Sequence, residues 1–166
     1  MGSGKSTVGK KLALILKYDF YDLDEEIERT ENTTISRIFA TRGEEHFRQL
    51  EKKYLLEILH KKEQLVLSLG GGSLHNDEIT TLVKKAGMLI FIDLPVAALV
   101  SRLRSVKEER PLIKELEGEE LSKFISTKLQ ARILQYQQAH LIVNGLNLTA
   151  QELYKKIVGE PQANNV

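Results

Sequence analysis

The chain has 166 residues, of which 42% are hydrophobic, and its formal net charge is +1 at pH 7. This length and composition fit one domain with a full-sized core, and the balanced charge gives no reason to expect nucleic-acid binding. The absence of cysteine excludes disulfides, thiol nucleophiles and cysteine-based zinc sites. No segment resembles a signal peptide or is apolar over a bilayer-spanning length, so we expect a cytoplasmic protein.

The first residues form the end of a phosphate-binding loop. Gly4-Lys5-Ser6 matches the last part of the pattern G-x-x-x-x-G-K-[S/T]. In that pattern backbone N–H groups surround a triphosphate, the lysine meets the β- and γ-phosphates, and the hydroxyl holds Mg²⁺. The next residues have the spacing of an amphipathic helix, whose positive N-terminal end would point at the phosphates. We therefore predict ATP-type binding by Gly2, Ser3, Gly4, Lys5, Ser6 and Thr7.

The phosphate-binding pattern is incomplete in this chain. Its first glycine and the hydrophobic strand that feeds the loop are not in the sequence. We expect Met1 to be an internal methionine, preceded in the natural chain by about ten residues that supply a strand and a turn. Because such a strand would be central, the sheet without it would have a gap, and we expect this chain to be marginally stable or unfolded in solution.

Short apolar runs alternate with helical stretches along the remaining chain, which is typical of a parallel sheet covered on both faces. We predict strands over residues 18–21, 65–69, 88–93 and 141–143. We predict helices after the loop, over residues 25–30, 44–62, 96–103, 121–138 and 150–158, and after Asn76. Residues 107–120 are expected to form a loop. The sequence thus predicts one domain over residues 1–159 and a disordered tail over 160–166.

Several polar residues could carry chemistry. Asp22 and Asp24 follow a predicted strand, where open α/β sheets bind ligands, although the same residues suit an acidic helix start. Asp93 also follows an apolar run and competes with Asp22 as the metal ligand. The three glycines from Gly70 to Gly72 allow close approach of a ligand to the backbone, and a simple turn needs only one glycine.

Three arginines are further candidates. Taken alone, Arg48 fits an exposed position on a long helix. Arg110 precedes Pro111 in the charged loop and could belong either to a lid over a phosphoryl group or to an ordinary solvated loop. Arg132 lies in a predicted helix with few other charges nearby. The four histidines show no spacing typical of metal ligands.

Together these segments resemble shikimate kinase, a family of the nucleoside-monophosphate-kinase-like group. The resemblance covers nearly the whole chain and is carried by Gly2-Ser3-Gly4-Lys5-Ser6-Thr7, Asp22-Leu23-Asp24, Phe39-Ala40-Thr41-x-Gly43-Glu44-x-x-Phe47-Arg48, Leu69-Gly70-Gly71-Gly72, Arg110-Pro111-Leu112 and Arg132-x-x-x-Tyr136. It implies an α/β, three-layer P-loop kinase fold with a parallel sheet in the order 2-3-1-4-5, whose first, central strand is missing from this chain. It also implies a lid over residues 107–120 and ATP-dependent phosphorylation of the shikimate 3-hydroxyl.

The resemblance also implies a role for each matching residue. On the nucleotide side, Lys5 would hold the β- and γ-phosphates, Ser6 and, through water, Asp22 would hold Mg²⁺, Arg110 would close with the lid, and Arg102 would stack on adenine. On the substrate side, Asp24 would accept a hydrogen bond from the attacking hydroxyl and could accept its proton. Arg48 and Arg132 would clamp the shikimate carboxylate, and the backbone of Gly71 and Gly72 would contact the ring hydroxyls. A monomer is expected.

Three alternative functions can be compared with the sequence. A kinase of another small polyol or acid, such as gluconate, would keep the loop and lid without needing Asp24, Arg48 and Arg132 together. A GTPase-type switch predicts an Asn-Lys-x-Asp motif and an Asp-x-x-Gly motif, and neither occurs here. A truncated, inactive paralogue that binds a partner is the third reading.

Overall fold

The computed structural model describes residues 2–61, 63–104, 113 and 116–159. Helices and short strands alternate along these residues. The elements are α1 (Lys5–Leu16), β1 (Asp19–Asp22), α2 (Leu23–Glu31), α3 (Ile35–Lys61), β2 (Leu65–Ser68), α4 (Asp77–Ala86), β3 (Ile90–Asp93), α5 (Val96–Arg104), α6 (Gly118–Gln130), α7 (Ile133–Tyr136), β4 (Leu141–Asn144) and α8 (Ala150–Val158).

The strands pair in parallel, as the alternating pattern predicts. β1 pairs with β2 from Asp19 opposite Leu65 to Asp22 opposite Ser68. β3 pairs with β4 in the same way, from Ile90 opposite Leu141 to Asp93 opposite Asn144. Among the described residues the two pairs are not hydrogen-bonded to each other, which fits the expected gap in the sheet.

Local capping signals set the ends of two helices as the sequence predicts. The Asn76 side chain accepts a hydrogen bond from the Ile79 N–H at 2.9 Å and so caps α4. Thr149 and Glu152 form a reciprocal capping box at the start of α8. Inside α3, Gly43 has non-helical torsions, with φ 79° and ψ 173°, so the helix breaks there and restarts at residue 44, where the sequence predicts a start.

Asp24 lies in the first turn of α2, which is the acidic helix start that the sequence left open, because β1 ends at Asp22 and the Asp22 carboxylate caps the new helix at the Asp24 N–H. Two sequence expectations need correction. The helix predicted over residues 121–138 is two helices, α6 and α7, with Arg132 as the N-terminal cap of α7 rather than inside a helix. Residues 118–120 of the expected loop are the first turn of α6. The rest of that loop apart from Ile113, Leu116 and Glu117, and the expected tail over 160–166, lie outside the described residues.

The apolar side chains form three clusters around the strands. One joins α2, α3 and α4 around β1 and β2, a second joins α5 and α6, and a third joins α1 and α8 against β4. Within the described part of the chain, none of the helices combines the length and the apolar character needed to cross a membrane.

Gly145, the residue after β4, is packed closely against the end of β3. The Gly145 N–H donates to the Asp93 carbonyl at 2.7 Å, and a Cβ at Gly145 would lie 2.6 Å from Ile92 Cγ2 and 2.9 Å from Leu94 Cγ. We expect Gly145→Ala to lower the free energy of unfolding by about 1–3 kcal/mol through overpacking, measured by urea denaturation.

Gly87→Ala is the matched control. A Cβ at Gly87 would meet no heavy atom within 4 Å, and its φ of 179° is ordinary extended backbone. We expect a change of at most about 1 kcal/mol at Gly87. Equal unfolding free energies for the two variants would contradict the packing described at Gly145.

Candidate active site

The loop from Gly2 to Lys5 adopts a conformation that needs glycine. Gly2 and Gly4 have φ of 70° and 83°, and Gly4 is the N-terminal cap of α1. No side chain caps this end of α1, so the first N–H groups of a twelve-residue helix are available to an anion. The geometry agrees with the phosphate-binding loop predicted from the sequence.

Ser6 links the start of α1 to the carboxyl ends of two strands. Its hydroxyl donates to Asp22 Oδ2 at 2.5 Å and lies 3.3 Å from the Ser68 hydroxyl. The Lys5 ammonium lies 3.7 Å from the same Asp22 oxygen. Asp22 is buried, whereas Asp93, its competitor as a metal ligand, has an exposed side chain at the end of β3. This arrangement favours Asp22 over Asp93.

The Ser6 and Asp22 oxygens fit a magnesium ion. Hard oxygen donors suit Mg²⁺, which usually takes only one or two protein carboxylates and completes its shell with phosphate oxygens and water. No group of three or more His, Cys, Asp and Glu side chains arranged to hold a metal is found in the described parts of the chain. The pair beside Lys5 therefore suits a metal that arrives with a nucleotide better than a preformed metal site.

The glycine turn after β2 brings an acid and two arginines together. A Cβ at Gly70 would lie 2.7 Å from Asp24 Oδ1. A Cβ at Gly72 would lie 2.9 Å from one Arg48 nitrogen and 3.4 Å from an Arg132 nitrogen. Side chains at these two positions would occupy the space of the functional groups, so glycine is required here for close approach. The three residues that the sequence singles out on the substrate side thus meet at one turn.

Arg48 is held from several directions rather than exposed on its helix. Its guanidinium donates to Glu44 Oε1 at 2.9 Å, to Glu51 and to the Gly72 carbonyl at 3.1 Å. The Glu51 side chain is only 4% exposed, and its other oxygen accepts from the Ser73 hydroxyl at 2.7 Å. Glu51 therefore fixes the arginine and the segment after the glycine turn at once.

Sequence reasoning missed Glu51, although a signal for it existed. It lies three residues after Arg48 and next to Leu50, within the apolar stripe that α3 buries through Phe47, Leu50, Tyr54 and Leu55. A carboxylate at such a position needs a partner, because an unpaired buried charge is strongly unfavourable.

Asp24 has a perturbed acidity. Burial raises the pKa of the Asp24 carboxyl above its ordinary value of 3.8, and the neighbouring carboxylates of Asp22 and Glu51 raise it further, while the Lys5 ammonium lowers it. A carboxyl with a raised pKa in a site of this kind suits proton transfer.

Tyr136 orders the other side of the glycine turn. Its hydroxyl donates to the Gly71 carbonyl, and its ring stacks on Phe91 of β3 with centroids 4.8 Å apart. Burial raises the pKa of the Tyr136 hydroxyl, which keeps it a hydrogen-bond donor. Because Tyr136 ends α7 and Arg132 caps its start, this short helix places both residues at the turn.

Of the remaining predicted nucleotide contacts, Arg102 lies beside Ser3 of the loop. Arg102 donates to the Ser3 carbonyl at 3.1 Å and to the Gly145 carbonyl at 3.2 Å, which joins the loop to the end of β4. Thr7 is exposed on α1. Arg110 and Pro111 lie outside the described residues, so the lid arginine stays a prediction.

Comparison with known proteins decides the family. A sequence profile of the shikimate kinase family matches residues 1–160. The chain belongs to the shikimate kinase family. The family resemblance read from the sequence is therefore confirmed, and with it the assignment to ATP-dependent kinases.

Individual family members agree with this assignment. A shikimate kinase from Chlorobium phaeobacteroides (strain BS1) is 42% identical over 165 residues, which cover 94% of this chain and 82% of that protein. The crystal structure of shikimate kinase from Bacteroides thetaiotaomicron superposes with a TM-score of 0.89 at 32% identity, over 95% of this chain and 93% of that chain.

A further solved family member carries a ligand. The shikimate kinase from Acinetobacter baumannii, solved in complex with shikimate, gives a TM-score of 0.83 at 34% identity, over 95% of this chain and 86% of that chain. These superpositions confirm the α/β P-loop kinase fold predicted for the chain.

The buried contact between Glu51 and Arg48 generates a stability prediction. We expect Glu51→Gln to lower the free energy of unfolding by about 1.5–3 kcal/mol, because the Arg48 guanidinium loses its buried charged partner. Urea denaturation followed by circular dichroism measures the change.

Glu78→Gln is the control for a lost carboxylate. It removes the exposed partner of Lys52, whose ammonium lies 2.7 Å from Glu78 Oε1. An exposed pair contributes at most about 1 kcal/mol. If Glu51→Gln were no more harmful than Glu78→Gln, the role given to the buried pair would be wrong.

Proposed function

We propose that this enzyme transfers the γ-phosphoryl group of ATP to the 3-hydroxyl of shikimate, giving shikimate 3-phosphate and ADP. The observation that carries the proposal is the meeting of Asp24, Arg48 and Arg132 at the glycine turn. Membership of the shikimate kinase family supports the same substrate. Phosphoryl transfer needs in-line positioning and charge stabilisation more than covalent chemistry, and the residues around the turn and the loop supply both.

Arg48 and Arg132 form the proposed carboxylate clamp. Both guanidinium groups approach the position of a Gly72 Cβ, within 2.9 Å and 3.4 Å, so a small anion there would meet two planar donors. Arginine suits such a site because its fixed fork of N–H groups matches a carboxylate in two hydrogen bonds. The charges of Glu44 and Glu51 hold Arg48 in place before the substrate binds.

Asp24 is the proposed acceptor for the attacking hydroxyl. Its Oδ1 faces Gly70, beside the turn whose Gly71 and Gly72 backbone groups would contact the substrate ring. Burial favours the neutral carboxyl and raises the pKa of Asp24, so the ionised form is a stronger base than an exposed aspartate. Asp24 would hold the hydroxyl in line and accept its proton as the bond to phosphorus forms.

The loop from Gly2 to Thr7 is the proposed phosphate site. Lys5 would meet the β- and γ-phosphates, and the free N–H groups at the start of α1 would bind their oxygens. Ser6 and Asp22 would hold Mg²⁺, which supplies charge neutralisation between the phosphates when it is bound. Arg102 would contact the adenine, and Arg110 would close over the transferring group with the lid.

The oligomeric state and the compartment belong to the proposal as well. We expect a monomer in the cytoplasm that acts on a small molecule. A coupled assay that offers shikimate and gluconate in parallel distinguishes the proposed substrate from its nearest rival, because a gluconate kinase has no need for two arginines and an aspartate at one turn.

Substitution of the clamp generates the first kinetic prediction. Arg48→Lys keeps the charge but loses a bidentate contact of about 1.5–3 kcal/mol, so we expect the KM for shikimate to rise about 10- to 150-fold. Steady-state kinetics at saturating ATP measure it. Arg42→Lys, on the same helix but exposed beside Glu31, should leave KM unchanged. An unchanged KM in Arg48→Lys would remove Arg48 from the substrate site.

Asp24→Asn generates the second kinetic prediction. We expect kcat to fall by more than about tenfold while the KM for ATP changes little, since the amide cannot accept the proton. A loss within about tenfold would exclude an obligatory base.

The pH profile gives an independent readout of Asp24. Because the pKa of Asp24 is raised, its carboxyl ionises at a higher pH than an ordinary aspartate, whose pKa is 3.8. The acidic limb of kcat/KM should therefore lie above that value, with activity lost as pH falls through the raised pKa. Glu25→Gln, an exposed neighbour paired with Lys10, should leave the limb in place. An acidic limb at or below the ordinary pKa of aspartate would contradict the role of Asp24.

A further inference from the structure

Two successive carbonyls of the glycine turn are held by side chains from different helices. The Arg48 guanidinium donates to the Gly72 carbonyl at 3.1 Å, and the Tyr136 hydroxyl donates to the Gly71 carbonyl. The peptide bond between Gly71 and Gly72 is trans, so its C=O and its N–H point in opposite directions. The Tyr136 hydroxyl therefore sets the direction of the Gly72 N–H, which points away from the tyrosine.

The Gly72 N–H is available to a ligand. Within the described parts of the chain it donates to no protein group, whereas the next N–H along the turn, that of Ser73, donates to the Gly70 carbonyl at 3.1 Å. A Cβ at Gly72 would lie 2.9 Å from an Arg48 nitrogen and 3.4 Å from an Arg132 nitrogen. An oriented N–H at this residue can donate to the same small molecule that the two guanidinium groups bind.

Tyr136 is fixed by its own packing. Its ring stacks on Phe91 of β3 with the centroids 4.8 Å apart, and it packs against the apolar cluster of α2, α3 and α4. A phenol hydroxyl donates one hydrogen bond and can accept another. Burial raises the pKa of the Tyr136 hydroxyl, and the Arg132 guanidinium lowers it in part through its charge and a hydrogen bond. The hydroxyl is thus shared between the Gly71 carbonyl and Arg132.

We propose that Tyr136 is a positioning residue for the phosphoryl acceptor, because its hydroxyl orients the Gly71–Gly72 peptide and the Arg132 guanidinium together. One hydroxyl thereby couples two kinds of substrate contact, a charged donor and a backbone donor. Tyr136 acts through these two groups and not on the reacting atoms, so substrate binding depends on it and the chemical step does not. This inference rests on the proposed function, since it concerns the binding of shikimate.

Removal of the hydroxyl tests the proposal. Tyr136→Phe keeps the ring that stacks on Phe91 and deletes only the group that contacts the Gly71 carbonyl. We expect the KM for shikimate to rise about three- to tenfold, as for the loss of a typical hydrogen bond. The KM for ATP should not change, and kcat should stay within about threefold, because the ground state and the transition state are weakened alike. Steady-state kinetics with each substrate varied in turn measure the three constants.

Tyr54→Phe is the matched control. Tyr54 is also buried, and its hydroxyl donates to Glu31 Oε1 at 2.7 Å, at the end of α2 rather than at the glycine turn. The control removes a hydroxyl of the same kind and should leave the KM for shikimate unchanged. A purely structural role for Tyr136 would lower the Tm without separating the KM for shikimate from the KM for ATP. Thermal melts followed by circular dichroism verify that both variants fold.

A double-variant cycle tests whether the hydroxyl is shared with Arg132. If Tyr136 orients this guanidinium, part of its effect is already lost in Arg132→Lys. We therefore expect Tyr136→Phe to raise the KM for shikimate by less than about twofold in the Arg132→Lys background, compared with about three- to tenfold in the parent chain.

Three outcomes would overturn the proposal. An unchanged KM for shikimate in Tyr136→Phe removes the hydroxyl from the positioning of the site. An equal rise in Tyr54→Phe assigns the effect to a general loss of packing. Effects of Tyr136→Phe and Arg132→Lys that simply multiply mean that the two groups act separately. All three leave the proposed function standing, whereas inactivity of the parent chain toward shikimate would refute that function and this inference with it.

Discussion

The hydrogen bonds of one serine hold the nucleotide side of the site together. The Ser6 hydroxyl lies between Asp22 at the end of β1 and Ser68 at the end of β2, so it joins the start of α1 to two strands at once. Asp22 uses its second oxygen to cap α2. Because the same carboxylate starts the helix that carries Asp24, the phosphate loop and the proposed base are positioned relative to each other by a single buried acid.

On the proposed substrate side, the structure depends on two positions, Gly70 and Gly72, that carry no side chain. Gly70 and Gly72 allow Asp24 and two guanidinium groups to approach the backbone to distances that no Cβ would permit. The buried Glu51 then holds Arg48 and Ser73, and Tyr136 holds the Gly71 carbonyl. The turn is thus supported from α3 on one side and from α7 on the other, which keeps the positive groups in place without a bound anion.

The sequence predicts the elements well where the signal is local. The capping residues Asn76 and Thr149 mark helix starts correctly, and the four apolar runs form strands, because caps and short apolar runs depend on neighbouring residues. The boundary after β1 is less predictable, since Asp22 serves both as the last strand residue and as a cap, and the residues that follow suit either state. The break that places Arg132 before α7 is likewise hard to predict, since no proline or glycine marks it in the sequence.

In the candidate site, too, residues with a local sequence signal are predictable and residues that depend on distant contacts are not. The phosphate-binding motif of Gly4, Lys5 and Ser6 is recognisable from its spacing in the sequence. Arg48, in contrast, has the sequence pattern of an exposed helix residue, and only the folded structure shows its partners. The Arg48 guanidinium is held by Glu51 and by the Gly72 carbonyl, which lies 24 positions away in the sequence. Only the contact with Gly72 joins distant segments of the chain. The periodicity of α3 places Glu51 inside an apolar stripe, and a charged residue at such a position indicates a buried ion pair.

Gly43 has a further consequence for how motion spreads through the chain. With φ 79° and ψ 173° it lies in a region that only glycine populates readily, and it interrupts the hydrogen-bond ladder of α3 five residues before Arg48. Helix formation is cooperative only along an unbroken ladder. Unwinding of the turns from Ile35 to Arg42 would therefore stop at this residue, and the segment that carries Arg48 would keep its helical structure.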